Sequence, residues 1–68
     1  MTYTYWFEIT DENSDNCGEE FFVEVSDYEM DTLAIAREIA VEIFGDVEMK
    51  CHGRVSSFQA EMMGLDTY

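Results

Sequence analysis

From Thr2 to Thr10 the chain alternates without a fault: Tyr3, Tyr5, Phe7 and Ile9 fall on one side, and Thr2, Thr4, Trp6, Glu8 and Thr10 on the other. Period two carried by aromatic and β-branched residues describes a half-buried strand. Asp11 to Gly18 then holds only Asp, Glu, Asn, Ser, Cys and Gly, the chemistry of a turn. A second strand follows from about Glu19 to Ser26, with Phe21, Val23 and Val25 inward and Glu20, Phe22, Glu24 and Ser26 outward. A connection this short favours an antiparallel hairpin.

The period then changes. Leu33, Ala36, Ile39, Ala40, Ile43 and Phe44 share one face at 100° per residue, and Arg37, Glu38 and Glu42 occupy the other. That is an amphipathic helix of about four turns. Ser26 with Glu29 fits a capping box, although Asp27 or Asp31 would cap a slightly later start, and Gly45 stands where a left-handed C-terminal cap belongs. Residues 46–53 and 64–68 show no usable pattern. A third strand is expected from about Arg54 to Met62, with Phe58, Ala60 and Met62 inward and Val55, Ser57, Gln59 and Glu61 outward.

With a right-handed crossover the third strand lies beside the first. The expected fold class is therefore α+β with the order β-β-α-β. It has a three-stranded antiparallel sheet (order 2-1-3), one amphipathic helix packed on one face, and residues 1–68 as a single domain. Nothing is left over to cover the opposite face.

Composition bears on what that face is for. Sixteen acidic residues stand against three basic ones, a formal charge of −13 on 68 residues. Between Met1 and Ala36 the acids are Glu8, Asp11, Glu12, Asp15, Glu19, Glu20, Glu24, Asp27, Glu29 and Asp31, with no Lys or Arg among them. Such a charge suggests disorder only in chains poor in aromatic residues, and here 15% are aromatic and 47% hydrophobic. The charge therefore belongs to a structured surface, where self-repulsion works against compactness. Two unit charges 5 Å apart repel by roughly 0.8 kcal/mol even in bulk water. An excess kept at that cost points to a contact outside the fold.

The outward residues collect on the open sheet face: Thr4, Trp6, Glu8, Glu20, Phe22, Glu24, Gln59 and Glu61. Asp11, Glu12, Asp15 and Glu19 rim it from the hairpin loop, and Asp27, Glu29 and Asp31 rim it near the helix start. Residues two apart on a strand lie roughly 6–7 Å apart and neighbouring strands about 4.8 Å apart. Carboxylates so spaced match the scale of phosphates along a polynucleotide, with Trp6 and Phe22 standing among them as bases do. The two aromatic residues have other uses: covering the core edge, joining two copies of the chain, or anchoring a partner.

Several chemistries are set aside. Asp11, Asn13 and Asp15 match the first ligand positions of an EF-hand loop, but Asn16 stands where Gly is required and Phe22 where the bidentate Glu belongs. Cys51 and His52 are adjacent and so point to opposite sides in extended chain, which leaves both structural. No metal ligand set or cofactor is expected. Glu8 with Glu24 or Glu61 resembles a glycosidase pair, yet a domain this small offers no cleft to raise the pKa of one acid. The chain is expected not to be an enzyme. No secretion signal or apolar run of roughly 20 residues is visible, so it reads as cytosolic with reduced thiols. An acidic surface argues against nucleic acid and membrane as direct partners.

The acidic hairpin, the helix reading Leu33-Ala-Ile-Ala-Arg-Glu-Ile-Ala40, and His52-Gly53-Arg54-Val55 before a final strand resemble the small anti-CRISPR proteins of phages and mobile elements. The resemblance lies in size, plan and charge. It implies a non-catalytic inhibitor in the cytoplasm of a bacterial host, acting as a DNA mimic. Its partner would be the basic DNA-binding channel of a CRISPR-Cas effector, a type I surveillance complex blocked near its site for reading the protospacer-adjacent motif. The matching residues would be Glu8, Glu20, Glu24 and Glu61 on the sheet, with Asp11, Glu12, Asp15 and Glu19 from the loop. Two alternatives stand beside it. One is mimicry toward another nucleic-acid-binding protein, such as a restriction enzyme or repressor. The other is an antitoxin or assembly module binding through Trp6 and Phe22.

Overall fold

The structure, a computed structural model, describes residues 1–26 and 31–68. The elements run β1 (Thr2–Ile9), β2 (Glu20–Ser26), α1 (Thr32–Phe44), β3 (Met49–Val55) and α2 (Ser57–Met63). The sheet order is β2-β1-β3 with both pairings antiparallel, the α+β arrangement expected. In β1 and β2 the period-two pattern sets the register, with Phe7 opposite Phe21 and Tyr5 opposite Val23. Those residues form the core with Ile9, Val25, Ala36 and Ala40.

Helix α1 packs chiefly over β2 and less over β1. Ala36 and Ala40 are fully buried because small side chains let the helix backbone approach the Phe7 and Phe21 rings. Ile35, Ile39 and Phe44 pack beside them, whereas Leu33 and Ile43 of the expected stripe are exposed at 37% and 43%. The apolar face is thus turned toward Ile35. Asp31 caps the helix, its carboxylate accepting the Ala34 N–H at 3.1 Å. Asp27 and Glu29, expected near the helix start, lie outside the described residues. Tyr5 Oη hydrogen-bonds Thr32 Oγ1, tying β1 to the first turn. Gly45 has φ 87° but ψ 177°, an extended mirror-image conformation instead of the left-handed helical one, and its N–H still closes on the Val41 carbonyl.

The third strand lies earlier than its expected range. Met49–Val55 pairs with β1, while Ser57–Met63 is helical. Ser56 Oγ accepts the Gln59 N–H and Gly64 closes the helix at φ 67°, ψ 24°, so this segment carries both ends of a helix. Phe58 and Met62, expected inward, are 74% and 72% exposed.

After α2 the chain reaches the far edge of the sheet. The Phe22 N–H donates to the Asp66 carbonyl (2.8 Å), the Tyr68 N–H to the Phe22 carbonyl (2.9 Å) and the Glu24 N–H to the Tyr68 carbonyl (2.9 Å). This short parallel run flanks β2, and the Tyr68 ring meets Phe21 and Phe44 edge-on. Because β3 and β2 are opposite borders of the sheet, residues 56–65 must cross it. Phe22 is 1% exposed yet lies outside the core cluster under α1, so the crossing covers the second face, with Ala60, Met63 and Leu65 partly buried along it. The face expected to be open is therefore roofed over Phe22. No helix among the described residues is long and apolar enough to cross a membrane.

Candidate functional site

The roof has two consequences for the sheet-face site. Phe22 cannot anchor a partner or a second copy, since its side chain is buried and its backbone pairs with the chain's own C-terminal segment. Glu61 is exposed but sits on α2, outside the strand spacing that was to have placed it beside Glu8. Glu24 is exposed opposite Thr4, separated from Glu20 by the covered Phe22. The regular acidic array over the whole face is replaced by something more compact.

The remaining acids gather at the hairpin end. Glu8 and Glu20 face each other across β1 and β2. Beyond them, Asp11 to Gly18 is a chain of turns, with Ser14 N–H to Asp11 O, Cys17 N–H to Ser14 O and Glu19 N–H to Asn16 O. Glu12 and Asp15 are exposed on it and Glu19 half-buried. The Asp11 carboxylate accepts the Asn13 N–H with one oxygen (3.0 Å) and the Glu48 N–H with the other (3.3 Å). Both oxygens hold the loop to the start of β3, a structural task in place of an EF-hand ligand role. The same contact brings the exposed Asp46 and Glu48 to this end, two acids the sequence reading did not include. Lys50, opposite Glu8, is the cation seated among them within the described residues.

At the inner margin of this pole Trp6, Glu8, Glu20 and His52 form one connected group. The Trp6 Nε1–H donates to Glu20 Oε1 (2.9 Å). His52 Nε2 donates to Glu8 Oε1, also at 2.9 Å, and the two rings stack with centroids 4.2 Å apart. A β-bulge makes this possible. Trp6 pairs with Gly53 and Phe7 with Cys51, which leaves His52 as the extra residue. Such an insertion bends the strand and re-aims a side chain, here an imidazole brought over the indole. Cys51 packs toward the core on the other side, so the adjacent thiol and imidazole do diverge.

Gly53 has φ +106°, a region L side chains rarely adopt, and open space where a Cβ would stand. Gly53→Ala should therefore cost about 1–3 kcal/mol through backbone strain alone. It should also release His52 from Trp6, read as a shift in the emission of the chain's single tryptophan. An unchanged urea midpoint would show that the bulge does not depend on this glycine.

No known family profile, curated protein or solved structure matches this chain.

Proposed function

We propose that the protein is a non-catalytic polyanion decoy, a DNA mimic that docks its acidic pole into the basic nucleic-acid-binding surface of another protein. The observation that carries this reading is the convergence of Glu8, Glu12, Asp15, Glu19, Glu20, Asp46 and Glu48 at one end of the sheet, with Lys50 as the cation among them. Along a sheet, acids held a few ångströms apart match the charge spacing of a polynucleotide, about 3.4 Å per phosphate along each strand of duplex. Held on a hydrogen-bonded hairpin, they lose less freedom on binding than a disordered tail would. Relief of their mutual repulsion adds to the gain. Association should be steered by charge and weaken steeply with salt.

The resemblance to small acidic anti-CRISPR proteins makes the DNA-binding channel of a type I CRISPR effector complex the first target to try. Purified protein should displace labelled DNA from that complex. Reversing Glu12, Asp15 and Glu48 to Lys removes three exposed acids of the pole that make no side-chain hydrogen bond among the described residues. It should weaken displacement by at least ~10-fold, because log affinity scales with the number of charges matched. Reversing Glu38 and Glu42 on α1 should leave displacement nearly intact. Equal losses in both variants would mean that net charge matters and the pole does not. Failure of the unaltered protein to displace DNA would exclude this target and move the test to a restriction enzyme or repressor.

A second reading rests on Phe58 and Met62, which sit four residues apart on α2 and are 74% and 72% exposed. They would dock an assembly partner through an apolar contact that survives high salt and is lost in Phe58→Ala.

A further inference from the structure

We propose that Glu8, Glu20 and His52 form a binding site for a borderline transition-metal cation, with Zn2+ the best fit. One carboxylate oxygen from each Glu and one imidazole nitrogen lie within 4.8 Å of one another. The set goes beyond the polyanion reading and stands independently of it, since it asks for one ion and no partner. It was invisible in the sequence spacing because positions 8, 20 and 52 reach one another only through three paired strands.

Four features distinguish it from a chance patch of acid. The donor set is mixed, two oxygens and a nitrogen, which suits Zn2+ and its neighbours and not the hard cations Ca2+ and Mg2+. The imidazole reaches it through a β-bulge, a local irregularity that turns His52 over Trp6 and toward Glu8. Glu20 is held from behind by the Trp6 Nε1–H at 2.9 Å, the outer support that orients ligating carboxylates in metal sites. Glu8 and Glu20 stand directly opposite in register, a like-charge pairing that destabilises a bare sheet and that a cation would reverse.

The fit asks for a local adjustment of the three donor atoms. Bound at about 2.0–2.1 Å with tetrahedral angles, a nitrogen and an oxygen ligand lie about 3.3 Å apart. His52 Nε2 and Glu8 Oε1 are now 2.9 Å apart, so the metal enters by parting them slightly and taking the place of the shared proton. The neutral imidazole then carries its proton on Nδ1, which frees the Nε2 lone pair for the metal. Three protein ligands leave a fourth position to water.

Zn2+ titration of the full chain, at fixed ionic strength and followed by tryptophan fluorescence and calorimetry, tests the site. One equivalent should bind saturably and change Trp6 emission. His52→Gln and Glu20→Gln should each weaken binding by at least ~10-fold while circular dichroism shows the fold retained. Mg2+ and Ca2+ should leave the emission unchanged at the same concentration. Cys17→Ser should bind as the unaltered chain does, which keeps the exposed Cys17 thiol out of the ligand set. Undiminished binding in His52→Gln, equal response to Mg2+, or loss of binding in Cys17→Ser would each overturn the assignment.

Discussion

Replacing Phe21 by alanine is expected to remove about a third or more of the protein's stability. Phe21 is 1% exposed, stacks on Phe7 (centroids 5.6 Å) and meets Phe44 at a tilt (4.5 Å), with the Tyr68 ring edge-on at 6.0 Å. One ring thus joins both hairpin strands, the end of α1 and the C-terminal run. Truncating a buried Phe costs about 3–5 kcal/mol from lost transfer energy and the cavity left behind. A chain of 68 residues has about 3–10 kcal/mol in all, at 0.05–0.15 kcal/mol per residue. Urea denaturation followed by circular dichroism should show the midpoint moved far toward zero denaturant. Phe58→Ala, at a residue 74% exposed, should stay within about 0.5 kcal/mol of the unaltered chain. A Phe21→Ala loss below 1 kcal/mol would show that these rings do not hold the layers together.

Removing residues 65–68 is expected to have the next largest effect. Three backbone hydrogen bonds disappear from the outer border of β2, each worth about 0.5–1.5 kcal/mol net. Phe22 loses part of its cover, and full exposure of such a ring costs about 1.5–3 kcal/mol. The edge-on contacts of Tyr68 with Phe21 and Phe44 go as well. A loss of about 3–5 kcal/mol is expected by calorimetry or urea titration. Tyr68→Ala, which keeps the backbone pairing, should cost about 1–2 kcal/mol through its two ring contacts. A shortened chain as stable as the original would mean that the segment merely rests on the sheet.

Phe21 and Phe22 also show how far the sequence could be read. The hairpin, α1 and the strand order were legible because long runs keep one period. Phe21-Phe22-Val23 broke the alternation, and a short continuous apolar run is the mark of a strand buried on both faces. That signal, given weight, would have foretold a roof. The segment Phe58-Gln-Ala-Glu-Met62 alternates by coincidence over too few residues to separate period two from 3.6. Its helical ends were written in Ser56-x-x-Gln59 and Gly64. β3 was hidden because its half-buried positions, Met49, Cys51, Gly53 and Val55, include a thiol and a glycine where a strand pattern is carried by large apolar residues. The acidic hairpin loop was visible, but Asp46 and Glu48 join it through hydrogen bonds between Asp11 and Glu48, a long-range contact no local pattern announces.

The two borders of the sheet are finished differently. Along β2 the chain closes its own ladder, while β3 has no strand beyond it among the described residues. That free border is kinked at His52 and bears the cations Lys50 and Arg54, so an incoming copy would meet a bent row of amides and matching positive charge. It makes a poor template for edge-to-edge growth. In a chain of 47% hydrophobic residues, such a border works against growth into fibrils.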